Sequence, residues 1–210
     1  MIILSHRGYW KTPAERNSEA AFLRSFSMGF GTESDFRDFN QQLVIAHDLP
    51  DATSLLAERC LEILTNHDRD LTLAINIKSD GLQPLILALI NKYRIQNYFL
   101  FDMAVPDAMK SIEAGLRCFT RHSDKEPAPA FYEQASGVWM DGFDGDWITP
   151  DRIRPHLDSG KQVCLVSPEL HRRHHLKLWQ QIKADPDLLR NNQLMLCTDI
   201  PEAAVAYFAQ

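Results

Sequence analysis

Within its first fifty residues the chain sets out two histidines, an arginine and two carboxylates in three short stretches. These are Ser5-His6-Arg7-Gly8, Glu33-Ser34-Asp35 and His47-Asp48. Together they are the parts of metal-assisted phosphoryl transfer: proton carriers, a fixed positive charge and oxygen ligands for a divalent cation. An imidazole with an ordinary pKa of ~6.5 can serve as acid or base near neutrality. The planar fork of Arg7 suits two phosphate oxygens at once. Glu33 and Asp35 are two residues apart, so on a strand they share a face. Two carboxylates so placed repel each other unless a hard cation such as Mg²⁺ or Ca²⁺ joins them through oxygen. Blander roles exist for each residue: a satisfied buried histidine, a structural ion pair, a charged sheet edge. The combination of two histidines flanking a Glu-x-Asp strand favours chemistry.

These residues need rigid elements to hold them. Ile2-Ile3-Leu4 reads as a short buried strand that delivers His6 and Arg7, and Phe30 to Phe36 as the strand that presents Glu33 and Asp35. Asn40-Gln41-Gln42 reads as a hairpin turn, with Leu43 to Ala46 as the return arm that ends at His47. Asn17 or Ser18 caps a helix reaching about Met28. Helices are expected over Ser54–Leu64, Leu82–Tyr93, Pro106–Ala114, Ala128–Gln134, Pro150–Leu157, Leu170–Ala184 and from Pro201 onward. Strands are expected over Leu71–Ile77, Tyr98–Phe101, Leu116–Thr120, Val138–Met140, Val163–Val166 and Leu194–Cys197. Alternation of this kind implies a parallel sheet, and eight strand–helix units imply an α/β (β/α)8 TIM barrel with helices outside. At 210 residues, below the ~250 typical of such barrels, its loops must be lean. One domain over residues 1–210 is expected. Barrel chemistry sits where strands end. The expected strands end in or beside His6, Arg7, Glu33, Asp35, Asn76, Lys78, Asp102, Arg121, Asp141, Glu169 and Asp199.

At these positions the sequence resembles the glycerophosphodiester phosphodiesterase family, within the group that includes phosphatidylinositol-specific phospholipase C. The pieces are His6-Arg7-Gly8, Asn17-Ser18 with Ala21-Phe22, Glu33-Ser34-Asp35, His47-Asp48, Ile75-Asn76-Ile77-Lys78 and Thr198-Asp199-Ile200-Pro201. The resemblance implies that His6 and His47 form an acid–base pair, without saying which is which. It implies that Arg7 and Lys78 face the phosphate, and that Glu33, Asp35 and position 76 hold the cation. The family has glutamate where this chain has Asn76, so one ligand charge is missing. Either the metal binds more weakly, with Asp102 or another strand-end acid supplying charge, or catalysis has been lost and binding kept. The persistence of His6, Arg7, Glu33, Asp35, His47 and Lys78 favours the former. After His47 the chain passes through Leu49-Pro50 almost directly into the next helix, so the small insertion subdomain of many family members is lacking and the groove is open on that side. Glu15-Arg16-Asn17 carries an extra residue between the motif's glutamate and asparagine, so the glutamate's role is not carried onto Glu15.

The bulk composition narrows the class. A formal net charge of −6 argues against a nucleic-acid partner. No run approaches the ~20 apolar residues of a membrane span, and Met1 leads straight into the first strand without a signal-peptide core. Cys60, Cys118, Cys164 and Cys197 show no paired spacing, which fits reduced thiols and a cytoplasmic address. The acids of Asp141, Asp144 and Asp146 lack the closing glutamate of a calcium loop and read as a turn, with Trp139 and Trp147 as packing or a sugar platform. His171, His174 and His175, among Arg172, Arg173 and Lys177, read as a basic helix start.

The expected function is a metal-dependent phosphodiester hydrolase acting on a small glycerol- or sugar-type phosphodiester. Resemblance to the phospholipase C group adds a route through a cyclic phosphate. The rival is a barrel that binds a phosphorylated ligand without turnover, which Asn76 supports. An isomerase or aldolase using Lys78 is weaker, because it leaves the histidines and Glu33/Asp35 unused.

Overall fold

A computed structural model describes residues 1–209. Its contacts gather into two compact units, Ser5–Cys118 and Met1–Leu4 with Phe119 onward. Strand β1 (Ile2–His6) contributes its last residues, Ser5 and His6, to the first, and helix α1 (Glu19–Ser27) and strand β2 (Gly31–Phe39) follow. Strands β3 (Gln42–Ile45) and β4 (Leu55–Leu56) follow, then helix α2 (Ala57–His67) and strand β5 (Leu73–Ile77). Helix α3 (Gln83–Tyr93), strand β6 (Tyr98–Phe101) and helix α4 (Val105–Glu113) complete the unit. β2 is its hub. It lies beside β1, pairs parallel with β5 and antiparallel with β3, and β5 pairs parallel with β6. The registers are fixed, with Asp35 opposite Asn76 and Phe36 opposite Ile45.

The second unit carries strands β7 (Phe119–Ser123) and β8 (Gly137–Asp141), helix α5 (Pro150–Asp158) and strand β9 (Gln162–Val166). Helices α6 (Leu176–Lys183) and α7 (Pro186–Leu189), strand β10 (Leu194–Thr198) and helix α8 (Pro201–Phe208) follow. β7, β8, β9 and β10 pair in that order, all parallel. The βα alternation expected of a (β/α)8 chain is therefore present except between β7 and β8, which no helix separates, with β3 and β4 as an antiparallel addition.

Burial explains why these segments are strands. Leu73–Ile77 and Leu194–Thr198 are buried along their whole length, as parallel strands covered on both faces must be. Each unit has its own apolar core: Phe22, Phe36, Leu64, Leu73 and Ile75 in the first, Val138, Leu165, Trp179, Ile182 and Leu194 in the second. All four cysteines are buried. No helix among the described residues is long and apolar enough to cross a membrane.

Several expected boundaries shift, each for a local reason. The Ser54 helix starts later, at Ala57, because Leu55 and Leu56 first pair with Ile45 and Val44 as β4. The strand expected from Leu116 starts at Phe119, because Gly115 at φ 77° ends α4 and folds the Leu116 amide back to Ser111. No helix forms over Ala128–Gln134, where the chain makes successive turns and Phe131 sits at φ 53°. The helix expected over Leu170–Ala184 is broken: a 3₁₀ turn spans Pro168–His171, Arg172 turns left-handed at φ 59°, and α6 begins only at Leu176. His171, His174 and His175 therefore do not share one helix.

Candidate active site

The His6-Arg7-Gly8 turn is built from strain and close approach. Arg7 holds φ 57° and Gly8 φ 77°. A Cβ on Gly8 would lie 2.8 Å from the Ala21 Cβ, so only glycine lets the turn rest on α1. The Tyr9 amide donates to Ala21 O and the Asn17 amide to Arg7 O, tying the turn to the start of that helix. Beneath it the buried hydroxyls of Ser5, Ser25 and Thr32 bond to one another. They lock β1, α1 and β2 in one register, and so fix where His6 leaves the sheet.

The carboxylates are deep. Glu33 and Asp35 are essentially inaccessible. The Glu33 carboxylate accepts from the Arg7 amide at 3.2 Å and lies 3.8 Å from His6 Nε2. Burial, and then the charge of Asp35, push its pKa up to about 7. Asp35 is heavily engaged. Its Oδ2 meets Arg7 Nε at 2.9 Å and Asn17 Nδ2 at 2.8 Å, and its Oδ1 meets Lys78 Nζ at 3.3 Å. Asn17 also accepts from Ser34 Oγ, so it holds two successive side chains of β2. The capping of α1 itself falls to Ser18. Asn17's φ of 57° was the feature that spacing alone did not disclose.

Asn76, opposite Asp35 on β5, donates to Asp102 Oδ2 at 3.2 Å, while its own buried Oδ1 accepts nothing. His47 stands at the end of β3, where the Ala46 amide donates to Asp35 O. Its Nδ1 meets Asp48 Oδ1 at 2.9 Å, and the imidazole is half exposed. Arg7 and His47 line one groove of about 690 Å³, together with Pro13, Arg16, Thr53 and Leu55. So His6, Arg7, Glu33, Asp35, Asn76 and Lys78 form one contiguous cluster at strand ends, and His47 faces the groove that Arg7 opens onto.

The donor set suits a hard cation by chemistry. Two carboxylates and an orphaned buried carbonyl oxygen lie on neighbouring strands, and all three donors are oxygen. With asparagine at position 76, no group of three or more His, Cys, Asp or Glu converges among the described residues. The ammonium of Lys78 also stands on Asp35, on the oxygen not taken by Arg7.

The remaining strand-end candidates lie in the second unit and form their own networks. Glu169 accepts from Ser167 Oγ, Thr198 Oγ1 and the Asp199 amide. Asp141 holds His171 Nε2 at 2.6 Å, a contact that raises the imidazole pKa. Arg121 pairs with Glu126.

Known structures bear on the fold. A glycerophosphodiester phosphodiesterase from Agrobacterium tumefaciens superimposes with TM-score 0.70 and 16% identity, over 98% of this chain and 99% of that one. A phosphodiesterase from Oleispira antarctica, solved with the product sn-glycerol-3-phosphate, gives TM-score 0.70 and 14% identity over 100% of this chain and 97% of that one. The chain has the fold of the glycerophosphodiester phosphodiesterases. A Ca²⁺-dependent phosphatidylinositol-specific phospholipase C from Streptomyces antibioticus is similar at TM-score 0.61 and 10% identity, over 97% of this chain and 95% of that one. No family model matches the sequence, and no curated protein matches it either.

Proposed function

We propose that the protein is a phosphodiester hydrolase acting on a small glycerol- or sugar-type phosphodiester in the cytoplasm. The observation that carries this reading is the cluster itself: His6, Arg7, Glu33, Asp35 and Lys78 within mutual contact, with His47 on the groove beside Arg7. Arg7 and Lys78 bind the phosphodiester oxygens and stabilise the charge that grows on them. One imidazole takes the proton of the attacking hydroxyl, and the other gives a proton to the leaving alkoxide. Asp48 holds the His47 ring through Nδ1, leaving Nε2 to move the proton. Glu33 approaches His6 from the other side of the ring, 3.8 Å from Nε2, a charge contact and not a hydrogen bond. A Mg²⁺ or Ca²⁺ would be held by Glu33, Asp35 and Asn76, and would add positive charge at the phosphate. The likeness to a structure holding sn-glycerol-3-phosphate supports a glycerol-type substrate.

The test is hydrolysis of bis(p-nitrophenyl) phosphate and of glycerophosphoglycerol by the wild type, His6→Ala and His47→Ala. Each variant should lose about 10²–10⁴ in kcat, the range of a positioned acid or base. Full activity in either removes that residue from the mechanism. A second reading, a phosphate binder without turnover, is favoured by Asn76, which removes a ligand charge. Ligand binding with no hydrolysis of either compound would establish it.

A further inference from the structure

Strand β2 runs on past the two carboxylates, and the next side chain on their face has no place in the proposed chemistry. Glu33, Asp35 and Arg37 alternate along the strand and so share one face. The Arg37 guanidinium reaches across to the other arm of the hairpin. Its Nε and Nη2 both donate to the carbonyl oxygen of His47, at 3.3 Å and 3.1 Å. Bonds from a charged fork are stronger than bonds between neutral groups, and two of them on one oxygen fix its direction.

This tie falls where the sheet stops holding the chain. The ladder between β2 and β3 ends with Phe36 opposite Ile45, and the Ala46 amide adds one bond, to Asp35 O at 3.0 Å. By Leu49, which is 89% exposed, the chain has left the body of the protein. Asp48 orients the His47 ring, but it belongs to the same departing loop and is itself exposed. It moves with His47 and does not set where the ring stands relative to Asp35. Arg37 does, because it grows from the strand that carries Asp35.

We propose that Arg37 is a positioning residue: its grip on the His47 carbonyl holds that imidazole within reach of a phosphodiester bound at Arg7 and Lys78. This rests on the reading of the cluster as a phosphodiester site with His47 as one of its proton carriers. Arg37 acts through His47 and not on the substrate, since its fork closes on backbone.

Hydrolysis of bis(p-nitrophenyl) phosphate by the wild type, Arg37→Met, Arg37→Lys, His47→Ala and the double variant Arg37→Met/His47→Ala decides this. Methionine keeps the aliphatic stem and removes every donor. Arg37→Met should lose about ten- to a hundredfold in kcat, the scale of a misplaced catalytic group, with KM within about twofold of the wild type. Arg37→Lys, which keeps a cationic donor, should recover part of the loss. In the His47→Ala background Arg37→Met should cost nothing further, since no imidazole is left to position. An unchanged kcat in Arg37→Met, a loss carried by KM, or a loss that persists undiminished in the His47→Ala background overturns the proposal. Full activity of His47→Ala also overturns it, while the rest of the cluster keeps its reading. If the wild type cleaves nothing, the hydrolase reading fails, and amide hydrogen exchange then decides whether Arg37 holds the His47 segment. Arg37→Met should speed exchange of the Ala46 amide by about tenfold or more, while the Lys78 amide, bonded to Phe36 O, keeps its rate. Equal rates at Ala46 in the wild type and Arg37→Met overturn the proposal.

Discussion

At the scale of single residues, the most informative position is Asn76. It faces Asp35 across the β2–β5 ladder and donates its side-chain amide to Asp102 Oδ2, which puts a third acid beside position 76. A glutamate at 76 would put a negative charge beside both acids, and only a cation would relieve the crowding. Asn76→Glu should therefore raise Mg²⁺ or Ca²⁺ affinity by about tenfold or more, measured by calorimetry without substrate. Lys78→Met should do the same by a different route, since it lifts the ammonium from Asp35 Oδ1. Unchanged affinity in both variants would exclude Glu33, Asp35 and position 76 as the cation ligands. The types and spacings of His6, Arg7, Glu33, Asp35, His47 and Lys78 were legible because strand periodicity places every second side chain on one face. The engagement of Asp35 by Arg7, Asn17 and Lys78 together was not legible. It depends on the left-handed backbone at Arg7, which the residue type does not signal, and at Asn17, where asparagine's enrichment in that region is only a weak signal.

At the scale of elements, the decisive piece is the seam where the His-Arg-Gly turn meets α1. Gly8 combines positive φ with a Cβ contact of 2.8 Å to Ala21, and its neighbour Arg7 already pays for a left-handed backbone. Gly8→Ala should destabilise the protein by about 2–3 kcal/mol, from overpacking plus an unfavourable φ. Urea denaturation reads this as a lower midpoint. Loss of less than about 0.5 kcal/mol would mean that the turn is not pressed on the helix. Ala21→Gly in the same background should recover part of the loss by removing the struck methyl. The elements that the sequence misassigned failed for related reasons. Apolar and charged residues over 170–184 have the right spacing for one helix, but Arg172 breaks it with a left-handed residue that carries no glycine or proline flag. Residues 128–134 have helix formers after Pro127 and Pro129, yet turn on Phe131 at φ 53°. Strands, whose signal is a buried apolar run, were placed more securely than these helices.

At the scale of the whole molecule, stability should carry a pH signature from a histidine pair far in sequence from the proposed active site. His122 Nδ1 meets His156 Nε2 at 2.8 Å, and Tyr132 OH meets His156 Nδ1 at 3.0 Å. A hydroxyl donating to Nδ1 and an Nε2–H donating to His122 satisfy the buried ring while His156 stays neutral. Burial, and then the neighbouring His122, lower the His156 pKa from 6.5 to about 4. Above pH 6.5 both folded and unfolded chains keep this ring neutral, and the packing is undiminished. Between pH 6.5 and 4 the unfolded chain binds a proton that the folded chain refuses, so stability falls as pH falls. The loss approaches about 3 kcal/mol at the acid end if the ring stays fully shielded. His122, whose pKa burial also lowers, adds to the slope in the same direction. Because carboxylates titrate over the lower part of this window, the clean measurement is the difference between wild type and His156→Gln at each pH. The advantage of the wild type should shrink steadily from pH 7 to pH 4, and a difference that stays constant would mean that the imidazole takes up its proton without leaving the fold.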